Sequence, residues 1–157
     1  MCVWQFLFRM NNSRQEMTKH SGMPRAARAL YAITAVGAVA LNTVHIFIGG
    51  PRFLGELFES NDLVPTAQWI GYFIWHTVSV LLAVIAVTFA YIAVKHDTPA
   101  SHLKPLAYFA TAILLGIAVL GGAVGLASNG ALSATPAPYA FGVLGLLSVA
   151  GTARLNA

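Results

Sequence analysis

Two histidines lie inside apolar sequence. His45 interrupts Ala-Leu-Asn-Thr-Val-His-Ile-Phe-Ile-Gly-Gly-Pro, residues 40–51, and His76 follows Tyr-Phe-Ile-Trp, residues 72–75. An ionisable side chain within a hydrophobic span is costly and tends to mark a site. Imidazole offers three kinds of chemistry there: axial ligation of haem iron, a metal bond, or a hydrogen bond between helices. One histidine from each of two helices is enough for a b-type haem or another tetrapyrrole, with His45 and His76 as the axial ligands. Zinc or copper wants three or four ligands, and no third histidine, cysteine or carboxylate lies in the neighbouring spans. Neutral histidine is also the cheapest ionisable group to bury, and both rings have polar neighbours in Asn42, Tyr72 and Ser79. They are therefore equally readable as polar glue between two helices.

Other chemistry finds no foothold. Cys2 is the one cysteine, which rules out an internal disulfide and any Cys-x-x-Cys site. No Lys-Ser or Lys-Thr follows Gly49-Gly50 or Gly121-Gly122, so neither pair opens a phosphate loop. No Ser-His-Asp set assembles within the apolar runs, and no intramembrane Asp or Glu is present to relay a proton from the histidines. His20 falls in a basic tail, and His96 and His102 in a polar loop. These read as solvated.

The elements that must hold His45 and His76 follow from composition. The chain has 157 residues, 57% hydrophobic and 9% charged, against roughly 25% charged in a soluble domain. Lipid is the expected solvent. Uncharged runs extend over 29–51, 63–94 and 105–153, and the last holds 49 residues. A crossing takes about 20 residues, so that run is two spans, broken at Ser128-Asn129-Gly130 and Pro136-Ala137-Pro138. The expected fold is all-α: an integral membrane four-helix bundle with spans near 29–50, 66–94, 105–127 and 138–154. Backbone groups in lipid must be satisfied internally, and no alternation fit for a barrel is present. Residues 1–24 read as a basic tail and 25–157 as a single domain.

Eight of the nine Lys and Arg fall on one side of these spans, leaving Arg52 alone on the other. The positive-inside rule predicts that both termini are cytoplasmic. The basic residues flank apolar runs as membrane anchors do, which argues against a nucleic-acid partner. In the first outer loop, Phe53, Leu54, Leu57 and Phe58 share a helical face and Arg52 pairs with Glu56 at i,i+4. This predicts a short amphipathic helix on the outer surface.

Polar and small positions trace stripes on the first two spans: Tyr31, Thr34, Ala38, Asn42, His45 and Gly49 on one, Gln68, Tyr72, His76, Ser79 and Ala83 on the other. The stripes are expected to meet. At ~1.5 Å per residue His45 lies roughly 7 Å below the outer end of its span and His76 some 15 Å below Thr66. Trp69, Tyr72 and Trp75 mark the interface above them. A site built from Asn42, His45, Tyr72, His76 and Ser79 is thus predicted in the outer leaflet, fit for a lipid-like or quinone-like amphiphile. Gly121, Gly125, Gly142 and Gly145 predict close contact of the third and fourth spans, or of two copies of the chain.

The pattern His45-Ile46-Phe47-Ile48-Gly49-Gly50, followed by Trp75-His76-Thr77, resembles small bacterial four-span inner-membrane proteins. The resemblance covers the first two spans. It implies a bacterial inner membrane and brings no activity with it. The function expected is a non-enzymatic binding or assembly role, with a haem-bearing electron-transfer subunit as the competing class.

Overall fold

The computed structural model describes residues 22–95, 98–128 and 135–155. Cys2, His20, His96 and the Asn129-Gly130 turn lie outside them. The described residues are helical with no strand: α1 (Arg25–Val44), α2 (Gly50–Glu59), α3 (Pro65–Val94), α4 (Ala100–Ala127) and α5 (Ala137–Arg154). Three helical rods, Arg25–Glu59, Pro65–Val94 and Ser101–Ala127, are long and apolar enough to cross a membrane. Prolines begin several of these helices. Pro65 and Pro138 sit in first turns, where the missing amide hydrogen has no intrahelical partner to lose. Val64, just before Pro65, is extended, as the proline ring requires.

The Gly49-Gly50-Pro51 run does not end the first helix. Between α1 and α2 the chain widens into a π-helical turn, His45–Gly49, and continues as one rod of 35 residues. The Gly50 amide donates to the His45 carbonyl, five residues back. A normal α turn would press the Pro51 ring onto the carbonyl four residues earlier, and the wider turn relieves that clash. The loop segment expected to be helical is therefore helical, but as the upper part of the first rod. Its ring contacts advance antiparallel to α3: Phe53 meets Trp75 and Phe58 meets Trp69. So α2 stands alongside α3 and does not cross it.

Two tight antiparallel pairs make the bundle, α1 with α3 and α4 with α5, and α1 packing on α5 joins them. Contact between α3 and α4 is slight. Along α1 and α3, Arg28 Nε donates to the Ala93 carbonyl (3.3 Å), Tyr31 stacks on Phe89 (5.8 Å), and His45 stacks on Trp75 (3.9 Å). Small residues let α4 and α5 close: a methyl on Gly121 would meet Pro138 at 3.1 Å, and one on Gly142 would meet Ala118 at 3.8 Å. Gly145 faces Leu114 and Leu115. Three of the four glycines expected at a span or subunit contact are thus packed within the chain.

The core gathers at the end where both termini lie. Met23, Ala27, Tyr31, Ala35 and Ala38 meet Leu82, Ile85, Phe89 and Ile92 of α3, Leu103 to Leu114 of α4, and Phe141 and Leu144 of α5. Met23, set aside in the sequence reading as part of the tail, belongs to this core. On α3 the buried face runs from Ser79 through Leu82 and Ile85, while Ala83 is exposed. The predicted polar stripe leaves the interface there, because below Ser79 the packing selects for shape and not polarity.

Tyr31 is the joint between the two pairs. It is fully buried, and its hydroxyl shares a 2.8 Å hydrogen bond with Thr152 Oγ1. Thr152 in turn donates to the Ser148 carbonyl (2.9 Å), and the Ser148 hydroxyl bonds that of Thr111 on α4. The Tyr31 ring lies against Gly151, where an added methyl would sit 3.1 Å from it. Tyr31→Phe is expected to lower stability by about 1 kcal/mol through loss of the Thr152 bond. Gly151→Leu drives a side chain into the ring and is expected to cost more, about 2 kcal/mol. Thermal unfolding in detergent checks the order.

Candidate functional site

The site grows from the π turn. Widening the helix brings Gly49 and Gly50 against the Trp75 indole; a methyl on Gly49 would lie 3.0 Å from the ring. Without a side chain there, Trp75 can press flat on the first rod. His45 stacks on the indole at 3.9 Å and 14°, and Phe53 at 4.6 Å and 15°. Two rings this close and this parallel to one indole cannot share a face without overlapping, so Trp75 lies between them. Stacks of this type add about 0.5–1.5 kcal/mol each beyond the area they bury.

His45 also makes a polar bond. Its Nε2 lies 3.2 Å from the Trp75 carbonyl oxygen. A carbonyl only accepts, so Nε2 carries the hydrogen. Ser79 Oγ donates to the same oxygen at 3.4 Å. One α3 carbonyl thus gathers His45 and Ser79. Ligation of haem iron through His45 Nε2 would have to displace that carbonyl and undo the stack.

His76 belongs to a second group one residue along. Its ring meets Tyr72 edge-on at 4.4 Å. Tyr72 packs edge-on with Trp69 (5.7 Å) and Phe58 (6.1 Å). Gly71 receives Leu57 from α2, with a built methyl 2.8 Å from Leu57 Cδ2. Gln68 Nε2 donates to the Ser60 carbonyl at 3.1 Å and ties the α2–α3 loop to α3. Among the described residues, no hydrogen bond joins His45 to His76, and no cluster of three His, Cys, Asp or Glu could hold a metal ion.

Of the five residues predicted to form the site, the structure therefore joins His45 with Ser79 and Tyr72 with His76. Asn42 stands apart. It lies on the α1 face that bears Ala35 and Ala38, and its buried Oδ1 has no hydrogen-bond partner. The residues that sequence reasoning missed are Phe53 and Trp75 as ring partners. Trp75 reads in sequence only as an interfacial anchor. The one available signal was Gly49-Gly50 facing an aromatic on the next helix.

Comparison with protein-family models, with curated proteins and with solved structures finds no match. The functional reading rests on the chain's own chemistry.

If His45 is a brace for Trp75, His45→Phe keeps the stack and loses only the bond to the carbonyl, for less than about 1 kcal/mol. His45→Ala loses both, for about 2 kcal/mol, and Trp75→Ala removes two stacks and a half-buried indole, for about 3 kcal/mol. Thermal melts of the three variants give the ranking. A His45→Phe protein as unstable as His45→Ala would assign the imidazole a role beyond stacking.

Proposed function

We propose that the chain is a four-span integral protein of a bacterial inner membrane, both termini cytoplasmic, with a binding or assembly role exerted from the aromatic end of the α1–α3 pair. The observation that carries this reading is the spacing between charge and aromatics. Arg28, Lys95, Lys104 and Arg154 fall at one level, since Arg28 meets Ala93, Tyr31 meets Thr152 and Thr111 meets Ser148. Counting roughly 20 residues from that level, enough for ~30 Å of hydrocarbon, reaches Ile48 on the first rod and Phe73 on α3. Trp69, Tyr72, Trp75, Phe53 and Phe58 cluster at and beyond those positions. Basic residues at one face and amphipathic aromatics at the other are what a bilayer selects. The 18 residues of α5, about 27 Å long, nearly match the same thickness.

Beyond the hydrocarbon, the first rod continues through α2. Its 35 residues measure about 52 Å, well over the ~30 Å core. The upper turns of α2 and α3 then stand in the headgroup layer, with Trp69 62% and Phe73 70% exposed around an immobilised Trp75. Rigid, part-exposed aromatics beside Tyr72 and His76 suit an amphipathic ligand or a partner helix. Arg52 and Glu56, at 3.7 Å and both well exposed, form a solvated pair consistent with that outer position.

Topology is read by cysteine labelling in a Cys2→Ser background. A membrane-impermeant maleimide on intact cells is expected to modify Ser60→Cys and to modify Thr98→Cys only after the membrane is opened. The reverse pattern overturns the orientation. Protein purified from haem-replete cells is expected to be colourless. A Soret band that disappears in His45→Ala and in His76→Ala would replace the binding or assembly role with haem-based electron transfer.

A further inference from the structure

We infer that the end of the bundle bearing the termini is a binding belt for anionic phospholipid headgroups; this rests on the four-span reading above. Each of α1, α3, α4 and α5 brings at least one cation to the belt. Arg28 is half-buried, with its Nε held by the Ala93 carbonyl, so its guanidinium is fixed at the rim, and among the described residues its other N–H groups make no hydrogen bond. Lys104 is half-buried on the second turn of α4, and Arg154 closes the last turn of α5. The α4–α5 contacts Thr111–Ser148 and Gly142–Ala118 bring Lys104 to the level of Arg154. Lys95 follows α3, its Nζ 5.6 Å above the Tyr91 ring, and Arg25 opens α1.

Charge decides the occupant. The carboxylates among the described residues, Glu56, Glu59 and Asp62, are all at the opposite end of the bundle. In the sequence, eight Lys and Arg share the terminal side with Glu16 and Asp97 alone. Arg28 and Lys104 therefore have no described carboxylate near them to neutralise their charge. They stand where lipid phosphates lie, and phosphate accepts several hydrogen bonds at once from guanidinium and ammonium groups. A tyrosine on each of α3 and α4 completes the arrangement. Tyr91 and Tyr108 lie one turn toward the bilayer from Lys95 and Lys104, 46% and 54% exposed, with hydroxyls at the depth of the glycerol esters. The tightly packed core directly behind the belt holds the helix ends that carry these five cations in fixed relation to one another. That distinguishes it from a flexible polybasic tail.

The full chain reconstituted in nanodiscs of phosphatidylcholine, with and without a fraction of phosphatidylglycerol, tests this. Phosphatidylglycerol is expected to raise the melting temperature of the wild type and of the Arg52→Gln control. The gain should shrink in Lys104→Gln and vanish in the combined Lys95→Gln, Lys104→Gln, Arg154→Gln protein. Each charge removed is expected to weaken apparent lipid affinity roughly fivefold. An equal gain in wild type and combined variant, or none in either, overturns the belt. A phosphatidylcholine nanodisc that holds stable protein while phosphatidylglycerol has no effect sinks the belt and leaves the four-span reading standing. Failure to insert in any bilayer sinks the reading itself. If the combined variant does not fold, the wild type in about 1 M salt, where the Debye length is ~3 Å, makes the same measurement. A gain that survives such screening overturns the belt.

Discussion

The whole arrangement depends on one buried hydroxyl. Two helical pairs, α1–α3 and α4–α5, each pack closely as a hairpin, yet little contact connects α3 to α4. The seam between α1 and α5 makes them one body, and Tyr31 pins it near the end where α1 begins, bonded to Thr152, against Gly151 and stacked on Phe89. In lipid there is no water to push helices together, so close approach and satisfied polar groups must supply the association. Tyr31 does both at once. Its ring needs the missing side chain of Gly151 to approach, and its oxygen needs Thr152 to be satisfied.

From that seam the molecule becomes looser toward its other end. Every large fully buried side chain, from Tyr31 to Leu114, sits in the half nearest the termini. Farther out the bundle is held by flat aromatic contacts. His45, Trp75 and Phe53 form one stack and Phe58, Trp69, Tyr72 and His76 an edge-on cluster. The difference follows from the two environments. Hydrocarbon gives no reason to bury an alkyl group, so interior packing needs shape complementarity, whereas amphipathic rings are content at a boundary that is half polar.

Much of this was legible in the sequence. Long uncharged runs broken by proline and turn residues placed α3, α4 and α5 within a few residues of their ends, because length and hydropathy set apolar helices. The Gly49-Gly50-Pro51 run misled, since those residues usually end a helix in water. Here a widened turn absorbs them, and α2 prolongs α1. His45 and His76 were legible as special because ionisable groups in apolar runs are rare. Their partners were not, because Trp75 reads as an anchor in any span and nothing in a linear pattern says which ring an imidazole will cover. The Tyr31–Thr152 bond joins positions 121 apart, beyond the reach of any helical periodicity.

The π turn carries one more implication, about insertions and deletions. An i→i+5 turn holds one residue more than an α turn, so residues 45–49 act as a surplus residue spliced into an otherwise regular rod. Excising one of them would return the rod to ordinary α winding with its outer end close to its present phase, because the wide turn already absorbs the extra residue. Phe53 would stay near the Trp75 face and Leu57 near Gly71. A deletion inside α1 or α2, by contrast, would rotate everything beyond it by about 100° around the axis, so the turn is a place where the rod tolerates a change in residue count.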